Sequence, residues 1–365
     1  MHKTSLLQHN FLIVSSNNHP MGFEDALYML EEGSNSFSPN AVVLINYSHK
    51  NFLLHNKTPD IHYYKIREKQ KCTLNEILPD DVTDATPIKL RTCTTKGEYV
   101  KRVQKLKQHI QLGDIYEINF CVEFEAVNVE LDPFVVFKKL NTLAEAPYAA
   151  LAKLGNTFII SASPELFLQK QQSRLITKPI KGTAKRSINK MEDDNLKNQL
   201  HLSLKERTEN VMIVDVARND LSVIAKRATV TVPKLYAIET YKTVHQMVST
   251  VQCELKEDVN FDSIIAATFP MPSMTGAPKI RAMELIDDTE QFKRKEYSGA
   301  LGVIDQSGNF NLSVLIRTII YDQQTKRLSF AVGSAITHMC DPEAEYEECL
   351  LKANALIKAI NGIIE

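Results

Sequence analysis

The 365 residues suffice for one large core or two domains, and their 44% hydrophobic and 24% charged content is ordinary for a soluble globular chain. A formal net charge of −1 gives no reason to expect nucleic acid or an anionic membrane as the main partner. No apolar run approaches a membrane span, and Met1–Ser5 opens no signal-peptide core. Cys72, Cys93, Cys121, Cys253, Cys340 and Cys349 lie scattered without a Cys-x-x-Cys pair, which predicts reduced thiols, a cytoplasmic setting and no zinc site.

In chain order, residues 1–90 read as a short N-terminal region packing on the core. It has strand-like runs at Phe11–Val14 and Ala41–Ile45, and an Asp/Thr/Pro-rich linker at Leu78–Pro87. Residues 91–365 read as the catalytic domain. A helix is expected between a Thr95/Glu98 capping box and Gly113, with Val103, Leu106 and Ile110 on one face. Tyr116, Ile118, Phe120, Val122 and Phe124 alternate with polar residues and Cys121, the pattern of a half-buried strand. Asp132-Pro133 opens another helix. Tyr148–Lys153 and Thr157–Ala162 form a hairpin through Gly155-Asn156, with further strands at Leu166–Gln169 and Arg174–Thr177.

One long helix is expected over about 193–219, a second from Pro278 at its first position, and a third from Pro342 to about Ile360. Strands at Gly299–Ile304, Leu312–Tyr321 and Leu328–Val332 separate the last two. Strands and helices without strict alternation predict an α+β fold of antiparallel sheets layered with helices. Only 12 glycines are present, about half the usual share of roughly 7%. Gly182, Gly276, Gly299, Gly302 and Gly333 all fall in the segments with chemical potential, either for close backbone approach or as ordinary turns.

Glu206/Glu209 and Glu345/Glu348 are Glu-x-x-Glu pairs on the first and third of those helices. Like charges three apart share a face and repel. Two such faces brought together require a cation, and oxygen-only ligands suit Mg²⁺; otherwise they are solvated acidic faces.

Thr177-Lys178-Pro179-Ile180-Lys181-Gly182-Thr183-Ala184-Lys185-Arg186 sets four cations beside a glycine and two hydroxyls without a P-loop frame. A lysine desolvated among other cations has a lowered pKa and can act as nucleophile; the alternative is a solvated basic loop. Phe269–Lys279 places Ser273 and Thr275 ahead of a helix start, either for a carboxylate or for ordinary capping. Glu165 is a candidate general acid, or else a strand-edge carboxylate. His245 is a candidate anion donor or proton shuttle, or else a structural histidine. Arg317, a cation in an apolar strand, calls for an anionic ligand or a salt bridge.

Six segments in order resemble the successive signatures of the chorismate-binding enzymes, which include anthranilate, aminodeoxychorismate and isochorismate synthases. They are Ser161–Glu165, Pro179–Thr183, Val214–Asp220, Thr275–Glu284, Tyr297–Ala300 and Asp341–Glu348. The resemblance covers about 95–365 and implies an anthranilate synthase component I-like fold. The lysine of Pro-Ile-Lys-Gly-Thr resembles the aminodeoxychorismate branch, where anthranilate synthases carry alanine.

It implies that Lys181 attacks C2 of chorismate as the C4 hydroxyl leaves with help from Glu165, and that ammonia then adds at C4 and displaces the lysine. Glu209 and Glu348 are the implied Mg²⁺ ligands, with Glu206 and Glu345 close or water-mediated. Gly182, Thr183, Tyr297, Arg317 and the Gly333-Ser334-Ala335 backbone match substrate-binding positions. Lys352 and His245 match polar pocket positions, and Ser273 the family's loop hydroxyl. A glutamine amidotransferase subunit or free ammonia is the implied nitrogen source.

Departures from the pattern are Pro272 and Ala335 where glycine is usual, and Leu166 where arginine is frequent. No Leu-Leu-Glu-Ser segment is found, so feedback inhibition by tryptophan is not expected. Anthranilate or isochorismate synthesis, and a non-catalytic chorismate-binding subunit, are the alternatives.

Overall fold

The computed structural model describes residues 6–15, 17, 25–47, 60–71 and 86–365. Cys72 and the expected linker as far as residue 85 lie outside the described residues. Among those described, nineteen strands join through one continuous hydrogen-bonded path. Antiparallel pairing dominates, with Gly362–Ile364 running parallel to Ile88–Thr92.

The layers follow from the two-residue period of the strands. Asn10–Ser15, Tyr148–Leu154 and Ala41–Tyr47 are buried on both faces. Leu12, Val14, Ala150, Ala152, Val42 and Leu44 share one core. Their neighbours Phe11, Ile13, Ala149 and Leu151 belong to a second, and Ala41, Val43 and Ile45 to a third. The sheet therefore folds back on itself, and its two halves stack through the first core.

Helices close the outer faces. The second core receives α1 (Lys96–Leu112), α2 (Pro133–Ala144), α6 (Lys279–Thr289) and α7 (Pro342–Ala359), whose ranges bracket α3 (Lys190–Leu202), α4 (Leu204–Ile224) and α5 (Phe261–Thr268). The third core receives α4 and α5. This four-layer arrangement is the expected α+β class.

Local signals that need only neighbouring residues hold. Thr95 accepts from Glu98 N, Glu98 reaches back, and Gly113 closes α1 at φ 82°. Asp132 and Asp341 cap α2 and α7. Five expectations need correction. The long helix over 193–219 is two helices, because Ser203 leaves helical geometry and caps α4 by accepting from Glu206 N. Pro278 is not the first residue of α6 but its cap, with extended ψ 140°.

Leu312–Tyr321 is not one strand. Phe310–Val314 and Thr318–Asp322 are separated where Arg317 takes φ 50°. The described residues before 90 do not only pack on the core but help to build it, since Asn10–Ser15 pairs with Tyr148–Leu154 and Ala41–Tyr47 with Lys295–Ile304. Finally, the half-buried strand is buried on both faces over Glu117–Ala126, Glu117 and Asn119 included, while Tyr116 is exposed. The strands Thr231–Thr240 and Val244–Glu254 and helix α5 were not anticipated.

Candidate active site

Buried polar groups mark the place where both halves of the sheet approach α4 and α7. Tyr116 N donates to Ala277 O and Asn119 N to Thr275 O, clamping Glu117 between them. Gly276, at φ 148°, makes this possible: a Cβ there would lie 2.2 Å from Glu117 O. From the opposite half comes the expected basic loop, which is a strand, Ile180–Lys185, paired with Val244–Glu254. Its register shifts at Gly182, whose φ of 85° and missing Cβ let the chain pass Glu206.

Lys181 Nζ touches Glu117 Oε1, with 10% of the lysine side chain and 1% of the glutamate side chain exposed. The lysine does not sit among cations. Lys178 pairs with Glu239 at 2.7 Å and Arg186 with Asp193 at 2.8 Å, while Lys185 is exposed. Burial pulls the Lys181 pKa down, but Glu117, Glu209 and Glu165 outweigh it, and the net shift is upward. The expected lowered pKa is thereby corrected: the resting group is an ammonium held by carboxylates.

Glu165 follows the strand Thr157–Ser163 and is buried. Ser273 Oγ donates to its Oε1 at 2.7 Å, from the short 3₁₀ turn Pro272–Met274. Pro272 thus occupies the first position of a turn, where its missing N–H costs nothing. Burial pushes the Glu165 carboxyl up to about 7, against the Ser273 bond and the charges of Lys181 and Lys352. Burial, rather than a place at a solvated strand edge, is what keeps a proton on this carboxyl closer to neutrality.

The two acidic pairs converge. Lys205 Nζ lies 3.2 Å from Glu345 Oε1 on α7 and 3.9 Å from Glu209 Oε1 on its own helix. Burial pushes Glu209 up to about 7, partly offset by Lys181. It raises Glu206 and Glu345 as well, with the Glu348 charge adding to both. Glu348 moves the other way, since Lys352 2.7 Å away outweighs its burial.

Among the described residues no three carboxylates already stand as a ligand group; Lys205 occupies the space between the helices. The donor set nevertheless fits a divalent cation on two counts. Glu209 Oε1 is buried without a hydrogen-bond partner. Glu117, Glu165, Glu206, Glu209, Glu345 and Glu348 also outnumber the three lysines among them, Lys181, Lys205 and Lys352. Lys205, with 47% of its side chain exposed, is free to swing out.

Arg317 forms no ion pair or side-chain hydrogen bond among the described residues, and burial lowers its pKa. Of its two readings, the salt bridge is not found. Lys352 Nζ donates to Gly333 O at 2.9 Å, tying α7 to the strand Arg327–Ile336. Ser334 Oγ bonds Tyr99 OH at 2.7 Å, and Ala335 pairs regularly with Asn119. Tyr297 is buried, its hydroxyl 3.6 Å from Cys121 Sγ. Thr183 is exposed opposite Gln246.

His245 is buried with Nε2 3.0 Å from Asp193 Oδ1 and Nδ1 3.0 Å from Thr240 Oγ1. Both ring nitrogens are engaged away from Lys181. Sequence reasoning missed Glu117 and Lys205. The only available signal for Glu117 was a carboxylate inside an apolar strand.

The chain belongs to the family of chorismate binding enzymes, whose match spans residues 12–358. An aminodeoxychorismate synthase of Streptomyces pristinaespiralis is 39% identical over 78% of this chain and 39% of its own length. Anthranilate synthase component 1 of Acetivibrio thermocellus is 38% identical over 73% of this chain and 53% of its own. Anthranilate synthase component I from Streptococcus pneumoniae has the same fold, with a TM-score of 0.74 at 23% identity over 94% of this chain and 91% of that one. The chain spans between 29% and 61% of the length of the aminodeoxychorismate synthases compared with it.

Proposed function

We propose that the chain aminates chorismate at C4, giving 4-amino-4-deoxychorismate, as aminodeoxychorismate synthases do. Relatives of similar identity carry two different names, aminodeoxychorismate and anthranilate synthase, so overall likeness does not choose between reactions. The observation that carries the choice is a buried lysine, Lys181, in contact with Glu117 and within the field of Glu165.

In this reading Arg317 and the Gly333–Ala335 backbone hold the substrate's carboxylates, supported by the arginine's lack of a partner among the described residues. The same reading assigns Gly182, Thr183 and Tyr297 to the substrate as well. Lys181 attacks C2 while Glu165, kept protonated near neutrality by its burial, gives a proton to the departing C4 hydroxyl. Ser273 orients that carboxyl. Ammonia then adds at C4 and the lysine leaves.

Glu209 and Glu348, with Glu206 and Glu345 beside them, would hold a Mg²⁺ ion, which supplies charge balance for the ring carboxylate. Lys352 fixes Glu348 and Gly333 relative to each other. His245 keeps Asp193 and Thr240 in place and serves as a positioning residue.

A glutamine amidotransferase subunit is the proposed ammonia donor. That the anthranilate synthase relative is named a component supports a two-part enzyme. The five described cysteines are all free thiols, which supports a cytoplasmic setting. No helix among the described residues is long and apolar enough to cross a membrane.

The deciding experiment incubates the pure chain with chorismate, Mg²⁺ and an ammonium salt and identifies the product by mass and absorbance. Aminodeoxychorismate is the expected product, and Lys181→Ala should not form it. Anthranilate fluorescence, or unchanged amination by Lys181→Ala, would overturn the reading.

A further inference from the structure

A lysine that attacks carbon must first lose a proton, and Lys181 rests as an ammonium. The carboxylates on each side of it are not equivalent. Glu165 is bonded to Ser273 and is spoken for as the acid toward the leaving hydroxyl. Glu209, on α4, acts on Lys181 only through space, with Glu206 and Glu348 farther out on the acidic helices. Among the described residues Glu117 alone is in contact with Nζ.

Its other oxygen, Oε2, is buried with no hydrogen-bond partner, although buried carboxylate oxygens are ordinarily satisfied. Its backbone is clamped by Tyr116 N to Ala277 O at 2.7 Å and Asn119 N to Thr275 O at 2.8 Å, so the carboxylate has little room to retreat.

We propose that Glu117 is a catalytic residue for the amination: it aims Lys181 and takes its proton as the amine attacks. The inference rests on the reading of Lys181 as nucleophile. The Nζ–H bond breaks and the proton passes to Glu117. The freed pair forms the Nζ–C2 bond, each ring double bond shifts one position, and the C4–O bond breaks. The hydroxyl takes the Glu165 proton and leaves as water. When ammonia attacks C4 the double bonds return, Lys181 leaves as the amine and recovers its proton from Glu117, while Glu165 takes one from the new ammonium group. No oxidant or reductant is required.

The test uses the full chain and three variants: Glu117→Gln, which keeps the shape, Glu117→Asp, which keeps the charge at shorter reach, and Lys181→Ala. Two quantities are read: amination with chorismate, Mg²⁺ and ammonium, and acetylation of Lys181 by acetic anhydride at pH 8, followed by peptide mass spectrometry. In Glu117→Gln the lysine should be acetylated severalfold faster, because nothing in contact holds its proton. Amination kcat should fall by about 100-fold or more with KM for chorismate little changed. Glu117→Asp should recover part of the turnover.

A residue that only supports the fold would raise KM for chorismate along with acetylation, and Glu117→Asp would not recover turnover. Amination by Glu117→Gln at the wild-type rate overturns the proposal, as does acetylation that fails to rise. If Lys181→Ala aminates as well as wild type, the reading of the nucleophile itself has failed. If only Glu117→Gln does, that reading stands and the role of Glu117 falls.

Discussion

Replacing Glu165 by glutamine should make the protein more stable and almost inactive, and the stability gain should appear only as pH rises. Glutamine keeps the volume and the oxygen that accepts from Ser273. The wild-type carboxyl is shifted from 4.5 to about 7 by burial. At 1.36 kcal/mol per pK unit, a shift of that size corresponds to about 3 kcal/mol. Because the folded pKa is the higher one, the folded state binds the extra proton. There is then no penalty below about pH 4.5, and stability is lost progressively up to about pH 7.

Urea unfolding of both proteins at intervals from pH 4 to pH 8 measures this, and the variant's advantage should grow by about 3 kcal/mol across the series. Amination should fall by about 100- to 10,000-fold at every pH. A stability difference that stays constant with pH, or that shrinks as pH rises, would refute the assignment of Glu165 as a buried acid with a raised pKa.

Ser273→Ala removes the donor that holds the Glu165 pKa down. A hydrogen bond to a charged group is worth about 1.5–3 kcal/mol, so the alkaline limb of the kcat profile should move up by about 1–2 pH units. An unmoved limb would count against it. Lys205→Met removes the cation now lying between Glu345 and Glu209. Mg²⁺, titrated calorimetrically, should bind about fivefold tighter, since a half-exposed ion pair is worth on the order of 1 kcal/mol; weaker binding would argue against this site. Gly276→Ala places a methyl 2.2 Å from Glu117 O at φ 148°. The melting temperature should drop in line with a loss of about 3 kcal/mol, and an unchanged value would mean that the segment is not clamped.

What could be read from the chain alone follows from how far apart the interacting parts lie. The Thr95/Glu98 box joins residues three apart, and the hairpin through Gly155-Asn156 pairs Leu154 with Thr157 at its tip and Tyr148 with Ser163 at its base, so both were legible. Ser203 was not, because a serine between Leu202 and Leu204 leaves the apolar pattern unbroken while its side chain turns to cap Glu206 N. The acidic pairs could be picked out as two faces, but nothing local says that α4 and α7 meet, or that Lys205 stands between them. Lys181 was legible only through its surroundings in the family pattern. Its charge state was misjudged because its partner, Glu117, is 64 positions away in a strand read as half-buried.

The places where this protein breaks the usual rule of buried polar satisfaction are informative together. Glu117 Oε2 and Glu209 Oε1 lack hydrogen-bond partners, and Arg317 has no counter-ion among the described residues. Taken singly, each is a cost of folding, since a buried polar atom without a hydrogen-bond partner destabilises by about 1–3 kcal/mol and a buried charge without a counter-ion by more. Taken together, they have a common remedy. A divalent cation would satisfy Glu209 and relieve the repulsion that raises Glu206 and Glu345. An anionic substrate would satisfy Arg317. Proton transfer from Lys181 would discharge the pair at Glu117. The same imbalance would make the site selective, since a ligand with carboxylates, arriving with a cation and meeting a lysine, would cancel all three.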